Sequence, residues 1–373
     1  MKALIRAQTS GTRLGPLTNQ IPKPIIPVIN RPSIEHAMRL LITYGIKDFV
    51  VSTHHQAELI EKVVGTSAQS LGCQVTFVNC PTKFKGMPWL EDYFDETFFA
   101  LDCDIITTVD LGAMYKFHKE HQAITTVALL ESNSSNAPST TITNNGKLVR
   151  IDRNHKKKNY LHIIGVAIYE KDVFEYYKQN SNICSPFINN QDFTRLNLEP
   201  FSNEFFEKIP YLHFAKDSQW FGYKSSAFGI DIGKPNSYMK AHKDYFTKYK
   251  DLELLSEYTE IGRDIWVGKG VQIDSRAIIV GPVIIDSHSV IGFKAQIQPY
   301  SFISRNVIVG ANTVIKQSII WPYSIIGQEV TIINSVIPNN CVIGSKVEIQ
   351  DIISIESGEI IHPKTKLIGN LAA

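Results

Sequence analysis

Ile285-Asp286-Ser287-His288-Ser289-Val290-Ile291-Gly292-Phe293-Lys294-Ala295-Gln296-Ile297 repeats one short theme. A β-branched aliphatic recurs every sixth residue, Asp or Gly follows it, and a small residue stands four positions after it. Stepping outward by six gives Ile261, Val267, Ile273, Ile279, Ile285, Ile291, Ile297, Ile303, Val309 and Ile315. The register then shifts by four and resumes at Ile319, Ile325, Thr331, Ile337, Ile343, Ile349, Ile355, Ile361 and Leu367, with Thr331 the one break. A period of six suits neither an amphipathic helix nor a two-sided strand. It suits a prism in which each hexad is one short strand and a corner. The aliphatic points inward, the small residue fills the corner, and Gly or Asp takes the turn. Each coil buries its inward residues against the coils above and below. Three hexads per coil give roughly six coils. The four-residue slip at Ile315–Ile319 reads as a loop or bulge at one corner.

The averages conceal this repeat. The chain has 373 residues, enough for roughly two or three domains. It is 43% hydrophobic and 20% charged, an ordinary globular composition. A formal net charge of +2 removes the bulk argument for nucleic-acid or membrane binding. The longest apolar run, Ile278 to Ile285, is interrupted by Gly281-Pro282 and is too short to span a bilayer. Met1-Lys2-Ala3-Leu4-Ile5-Arg6 has no signal-peptide core. The cysteines (Cys73, Cys80, Cys103, Cys184 and Cys341) are odd in number and lack CxxC spacing. That pattern points to a reducing compartment, the cytoplasm, without a zinc or disulfide framework.

Before the repeat, strand and helix patterns alternate. Lys2 to Ala7 reads as a buried strand, and a helix opens at Pro32-Ser33 and ends at Gly45. Strands at Asp48 to Ser52, Gln74 to Val78, Thr97 to Asp102 and Ile124 to Leu129 alternate with helices at Gln56 to Val64, closed by Gly65, and Leu111 to His121. A last helix begins at Pro235 and runs to about Tyr249. The pattern predicts an α/β domain over residues 1–250 with a mostly parallel sheet and helices on both faces. A β-helix domain then occupies 251–373. In such sheets ligands sit outside the carboxyl ends of the strands. The loop there runs from Gln8 to Thr18.

That loop reads Ser10-Gly11-Thr12-Arg13-Leu14-Gly15-Pro16-Leu17-Thr18, followed by Ile21-Pro22-Lys23-Pro24-Ile25-Ile26-Pro27-Val28. It resembles the signature of the sugar-1-phosphate nucleotidyltransferases (NDP-sugar pyrophosphorylases), L-A-[GA]-G-x-G-T-R-L-x-P-L-T then P-K-P-L-L-P-V. Leu101-Asp102-Cys103-Asp104 resembles the family's metal-site G-D, and Ile230-Asp231-Ile232-Gly233-Lys234-Pro235 its D-I-G-T-P. The resemblance covers nearly the whole chain, since several branches carry a hexapeptide tail. It implies a Rossmann-like domain followed by a left-handed parallel β-helix. The reaction it implies joins an NTP and a sugar 1-phosphate to give an NDP-sugar and pyrophosphate, with Mg²⁺.

The resemblance also implies roles for residues. Little proton transfer is needed when a sugar phosphate oxygen attacks the α-phosphorus in line, so charge neutralisation and positioning dominate. Gln8, Thr9, Ser10, Gly11, Thr12 and Gly86 would bind the nucleotide, the loop N–H groups cradling the triphosphate. Arg13 would hold the leaving pyrophosphate with its guanidinium fork. Lys23 would neutralise phosphate near the attack. Asp104 and Asp231 would hold the metal, and Gly165 would lie in the sugar site. The β-helix would serve homo-oligomerisation, or pairing with a paralog.

The likeness is uneven. The family's glycine pair is Gln8-Thr9 here, its base-contacting segment is Gly86-Met87-Pro88-Trp89-Leu90, and the Gly before the metal aspartate is Cys103. The sugar-contacting E-K-P aligns with Arg153-Asn154-His155, and the Asn of N-A-G aligns with Ile163. Arg6 replaces a strand aliphatic. The charged residues survive while the base and sugar pockets differ. Two readings follow: an enzyme with a rebuilt pocket, or a catalytically degenerate regulatory or scaffold subunit that pairs with an active paralog.

Overall fold

The computed structural model describes residues 1–8, 11–79, 87–132, 139–152, 159–175, 211–213, 219–249, 255–353 and 355–369. Its contacts form two compact units. The first holds Met1–Thr9 and Ile34–Ile230, the second Ser10–Ser33 and Asp231–Ala373. The signature loop therefore shares its unit with the repeat.

The first unit is built on a ten-stranded sheet. Ala3–Ala7 lies between Phe98–Asp102 and Asp48–Thr53, parallel to both, and Gln74–Asn79 extends this parallel half. Tyr160–Tyr169 pairs antiparallel with Phe98–Asp102 and begins an antiparallel extension. Ala3–Ala7, Asp48–Thr53 and Phe98–Asp102 are buried on both faces almost throughout, whereas the edge strand Gln74–Asn79 mixes buried and exposed positions. Leu4, Val50, Phe98, Ala100, Val127 and Trp220 are buried in one core, with Phe98 stacked on Phe94 at 4.0 Å and on Phe174 at 5.7 Å. The helix expected to close at Gly65 instead runs Ala57–Leu71 and ends at Gly72. Ile60, Val64 and Ala68 keep one face buried past Gly65. Gly72 adopts φ 65° and donates to the carbonyls of Ala68 and Gln69, which is where a left-handed C-cap is needed.

In the second unit the repeat winds into three six-stranded sheets, the faces of a parallel β-helix. Parallel partners on each face stack inward aliphatics, as in Ile291 on Val309 on Ile326 on Ile343 on Ile361. The corners recur in left-handed conformation, at Lys294, Tyr300, Asn306 and Asn312 among others. The small residues beside them, Ser289, Ala295, Ser301 and Thr313, are fully buried.

Two details of the repeat differ from the periodic reading. Ile261 is not an inward rung: Thr259–Gly262 pairs antiparallel with Ile265–Val267, and Ile261 is 54% exposed. Nor is there one four-residue slip. Ile303 pairs with Ile320 and Ile315 with Ile332, so the inward series continues through Ile320, Ile326 and Ile332, each at most 1% exposed. It contracts by a single residue between Ile315 and Ile320 and again between Ile332 and Ile337. Ile319, Ile325 and Thr331 point outward, so Thr331 breaks nothing.

The outer surfaces of the faces differ. On the first, the outward Ile284, Phe302, Ile319 and Val336 are buried. The helix Pro235–Asp244 and the turn after it lie on this face, with His242 4.9 Å and Phe246 5.6 Å from the Phe302 ring. On the second, the ladder of Ile308, Ile325, Val342 and Ile360 is 38 to 63% exposed.

Candidate active site

The strand Ala3–Ala7 ends on polar rungs. Arg6 lies level with Ser52 on one side and Asp102 on the other, and residues on one rung share a face of the sheet. The Arg6 Nε donates to Asp102 Oδ1 at 2.6 Å, and this pair is buried. The Asp102 carboxylate thereby forms a buried ion pair with Arg6. Asp104, two residues on, is 4% exposed. Gly165 lies where the pairing of Tyr160–Tyr169 with Thr125–Ser132 shifts register. It has φ 73°, and a β-carbon there would stand 2.3 Å from Asp102 Oδ2. Its carbonyl accepts from Arg6 Nη2 at 3.4 Å. Glycine at 165 is thus required by the Arg6–Asp102 pair, a reason the motif alone did not supply.

Gln8 follows the strand. Its Nε2 is shielded from solvent and has no hydrogen-bond partner among the described residues. Thr9, Ser10, Gly86, Arg153, Asn154 and His155 lie outside the described residues, as does the Trp89 side chain.

In the second unit the signature loop is folded tightly. Thr12–Thr18 forms 3-10 turns, with Thr12 exposed at the start. Gly11 has φ 73°, and a β-carbon there would meet Thr18 Cγ2 at 2.9 Å and Lys23 Cβ at 3.0 Å. Thr18 Oγ1 lies 2.9 Å from the Gly11 carbonyl and 3.0 Å from that of Gly15. The loop thereby closes onto Lys23, which is 3% exposed.

The charges converge at Gly233. A β-carbon on Gly233 would lie 2.8 Å from Asp231 Oδ1, 2.9 Å from Lys23 Nζ and 3.0 Å from Arg13 Nη2. The Gly233 N–H donates to Asp231 Oδ1 at 2.6 Å. Two cations and a carboxylate thus surround one point on a backbone that carries no side chain. Such a cluster suits an anion with a counter-cation, as a metal-bound phosphate is.

A family model described as nucleotidyl transferase matches residues 2–248, and one described as GMPPB C-terminal domain matches 279–369. This chain belongs to the nucleotidyl transferase family. Among its relatives, the UTP--glucose-1-phosphate uridylyltransferase of Synechocystis is 24% identical over 90% of this chain and 87% of that protein. The mannose-1-phosphate guanyltransferase of Yarrowia lipolytica is 26% identical over 100% of this chain and 98% of its own length. The crystal structure of HddC from Yersinia pseudotuberculosis shares the fold, with TM-score 0.50 and 18% identity over 65% of this chain and 99% of that one.

Nucleotidyl transferases generally use a divalent metal, and the donors here fit one. A hard cation in a phosphoryl-transfer site takes one or two carboxylates and completes its shell with phosphates and water. Asp231, beside Lys23 and Arg13 at Gly233, is such a carboxylate. No group of three or more metal-ligating side chains occurs among the described residues. Among those residues, no helix is long and apolar enough to cross a membrane.

Proposed function

We propose that this nucleotidyl transferase condenses a nucleoside triphosphate with a sugar 1-phosphate, forming an NDP-sugar and releasing pyrophosphate. The observation that carries the reading is the meeting of Arg13, Lys23 and Asp231 at Gly233. Charge accumulates on the leaving pyrophosphate as the bond to the α-phosphorus breaks. Preorganised cations stabilise that charge without reorganising. Arg13 is assigned to the pyrophosphate, and Lys23 to the phosphate near the attack. Buried Lys23 has little freedom to follow solvent, which suits a fixed point charge.

The loop from Gln8 to Thr12, with Gly86, is assigned to the nucleotide. The shielded Gln8 amide supports this, because it is a donor that a base or phosphate oxygen could engage. Asp104 and Asp231 would hold Mg²⁺, which when bound would neutralise the triphosphate. Gly165 is assigned to the sugar side. A boundary near residue 250 and a cytoplasmic setting belong to the same proposal. Self-association through the β-helix does too, supported by the exposed ladder Ile308, Ile325, Val342 and Ile360, which is continuous from coil to coil where ordinary surface apolars are scattered singly.

The test is pyrophosphate release with Mg²⁺ over a panel of NTP and sugar 1-phosphate pairs. It should begin with the UTP–glucose and GTP–mannose combinations that the relatives' names suggest. Release is expected from at least one pair, and Arg13→Ala should abolish it. No release from any pair would instead support the non-catalytic subunit.

A further inference from the structure

The segment from Lys23 to Ser33 is a closed loop clamped at its tip. The Ser33 N–H donates to the Ile26 carbonyl at 2.9 Å, and its Oγ lies 3.0 Å from the carbonyls of Lys23 and Pro24. Between them Pro27–Val28 pairs with Arg31–Pro32. The two tip residues, Ile29 and Asn30, have φ 48° and 62°, as a two-residue hairpin with a type I′ turn requires. Asn suits that conformation, but a β-branched isoleucine is strained in it. Such strain persists only where the surroundings over-determine it.

The surroundings here belong to the β-helix and the helix lying on its first face. The Ile29 side chain is fully buried, and its N–H donates to His242 Nε2 at 3.2 Å. His242 Nδ1 lies 3.0 Å from the Tyr238 carbonyl, which assigns the proton to Nδ1 and leaves Nε2 to accept. Ser304 Oγ donates to Asn30 Oδ1 at 2.8 Å. The Tyr238 hydroxyl donates to the Pro27 carbonyl at 2.5 Å and accepts from Trp321 Nε1 at 2.8 Å. Burial raises the Tyr238 phenol well above its ordinary pKa, so it remains a donor.

The repeat marks the same place. The coils stack Gly268, Asp286, Ser304, Trp321 and Pro338 at one equivalent corner position. That position is otherwise given to small or turn-forming residues, and Trp321 departs from the pattern. Of this series, Ser304 and Trp321 are the two that reach the hairpin and its supporting helix.

We propose that Tyr238 and Trp321 are positioning residues for the transfer reaction. The indole fixes the phenol, the phenol fixes the hairpin, and the clamped hairpin fixes where Lys23 stands beside Arg13. The β-helix is on this account part of the support of the phosphate-binding charges as well as a tail. The inference rests on the reading that Lys23 and Arg13 act on phosphate.

The test uses the full chain and inorganic pyrophosphate with Mg²⁺, measured by titration calorimetry well below the melting temperature of every variant. Tyr238→Phe keeps the ring and removes the hydroxyl. It should weaken pyrophosphate binding about fivefold and lower kcat about tenfold, while KM for the sugar 1-phosphate stays within twofold. Trp321→Phe should shift both in the same direction by less. In a Lys23→Ala background, Tyr238→Phe should cause no further loss of binding, because the two act through one group. Ile349→Val, an inward rung away from the hairpin, controls for destabilisation and should leave binding unchanged. A Tyr238→Phe protein that binds pyrophosphate like the parent overturns the proposal. So does an equal loss in the Lys23→Ala background. A parent that neither binds pyrophosphate nor releases it from any substrate pair overturns the functional reading, and this inference with it.

Discussion

Gly233→Ala should separate catalysis from stability. The added methyl would stand 2.8 Å from Asp231 Oδ1, 2.9 Å from Lys23 Nζ and 3.0 Å from Arg13 Nη2. Each atom must retreat by about half an ångström to reach ordinary van der Waals contact. All three are the far ends of flexible side chains, so the backbone need not move. Gly233 is not among the glycines with positive φ, so alanine is not strained there. Removing a glycine from the unfolded ensemble contributes about 0.4–1 kcal/mol of stability, which offsets the displacement cost. The net change should lie within about 1 kcal/mol, a shift of about 2–4 °C in a domain of this size. The displaced atoms are the ones assigned to phosphate and metal. Misplacement of reacting groups by about 1 Å costs up to about a hundredfold in rate. Half that distance should lower kcat/KM about tenfold, or about 1.4 kcal/mol of barrier. Pyrophosphate release and a thermal melt on the same preparation read both quantities. A kcat/KM within twofold of the parent would refute the reasoning. A melt that collapses together with the activity would show that the glycine supports packing instead.

Other outcomes follow from the same geometry. Asp102→Asn should remove the buried ion pair with Arg6 and destabilise the first unit by about 3–5 kcal/mol, read by urea unfolding. Ile332→Ala, on an inward rung, should cost about 2–5 kcal/mol. Ile325→Ala, on an outward rung 44% exposed, should cost under about 1 kcal/mol, and equal costs would undo the corrected register. His118 is fully buried. Burial holds its pKa below the ordinary 6.5 against the opposing pull of Glu170, and burial does the same to His162. Because the unfolded chain takes up these protons first, stability should be full above about pH 6.5 and decline as pH falls through it. His118→Gln should flatten the melting curve between pH 7.5 and 5.5, and an unchanged slope would count against this.

Much of this protein is decided by its sequence. A β-branched residue at every sixth position can be buried in few ways, so the β-helix follows from local pattern alone. The motif around Arg13 and Lys23 is equally local, because Gly11, Thr18 and Lys23 close on one another within a short stretch of chain. Tertiary structure decided the rest. Ile319-Ile320 and Ile325-Ile326 offer two aliphatics per rung, so periodicity cannot say which faces inward, and only stacking on Ile303 and Val309 selects Ile320 and Ile326. Arg6 looked like a misplaced strand residue until Asp102 came level with it on the next strand. That residue 165 must be glycine also appears only in the fold, where the Asp102 carboxylate fills the space a side chain would need. The clamp on Ile29 joins residues far apart in the chain, and no spacing rule connects them. Local steric and hydrophobic preferences are written residue by residue, whereas a buried polar partner depends on where the whole chain closes.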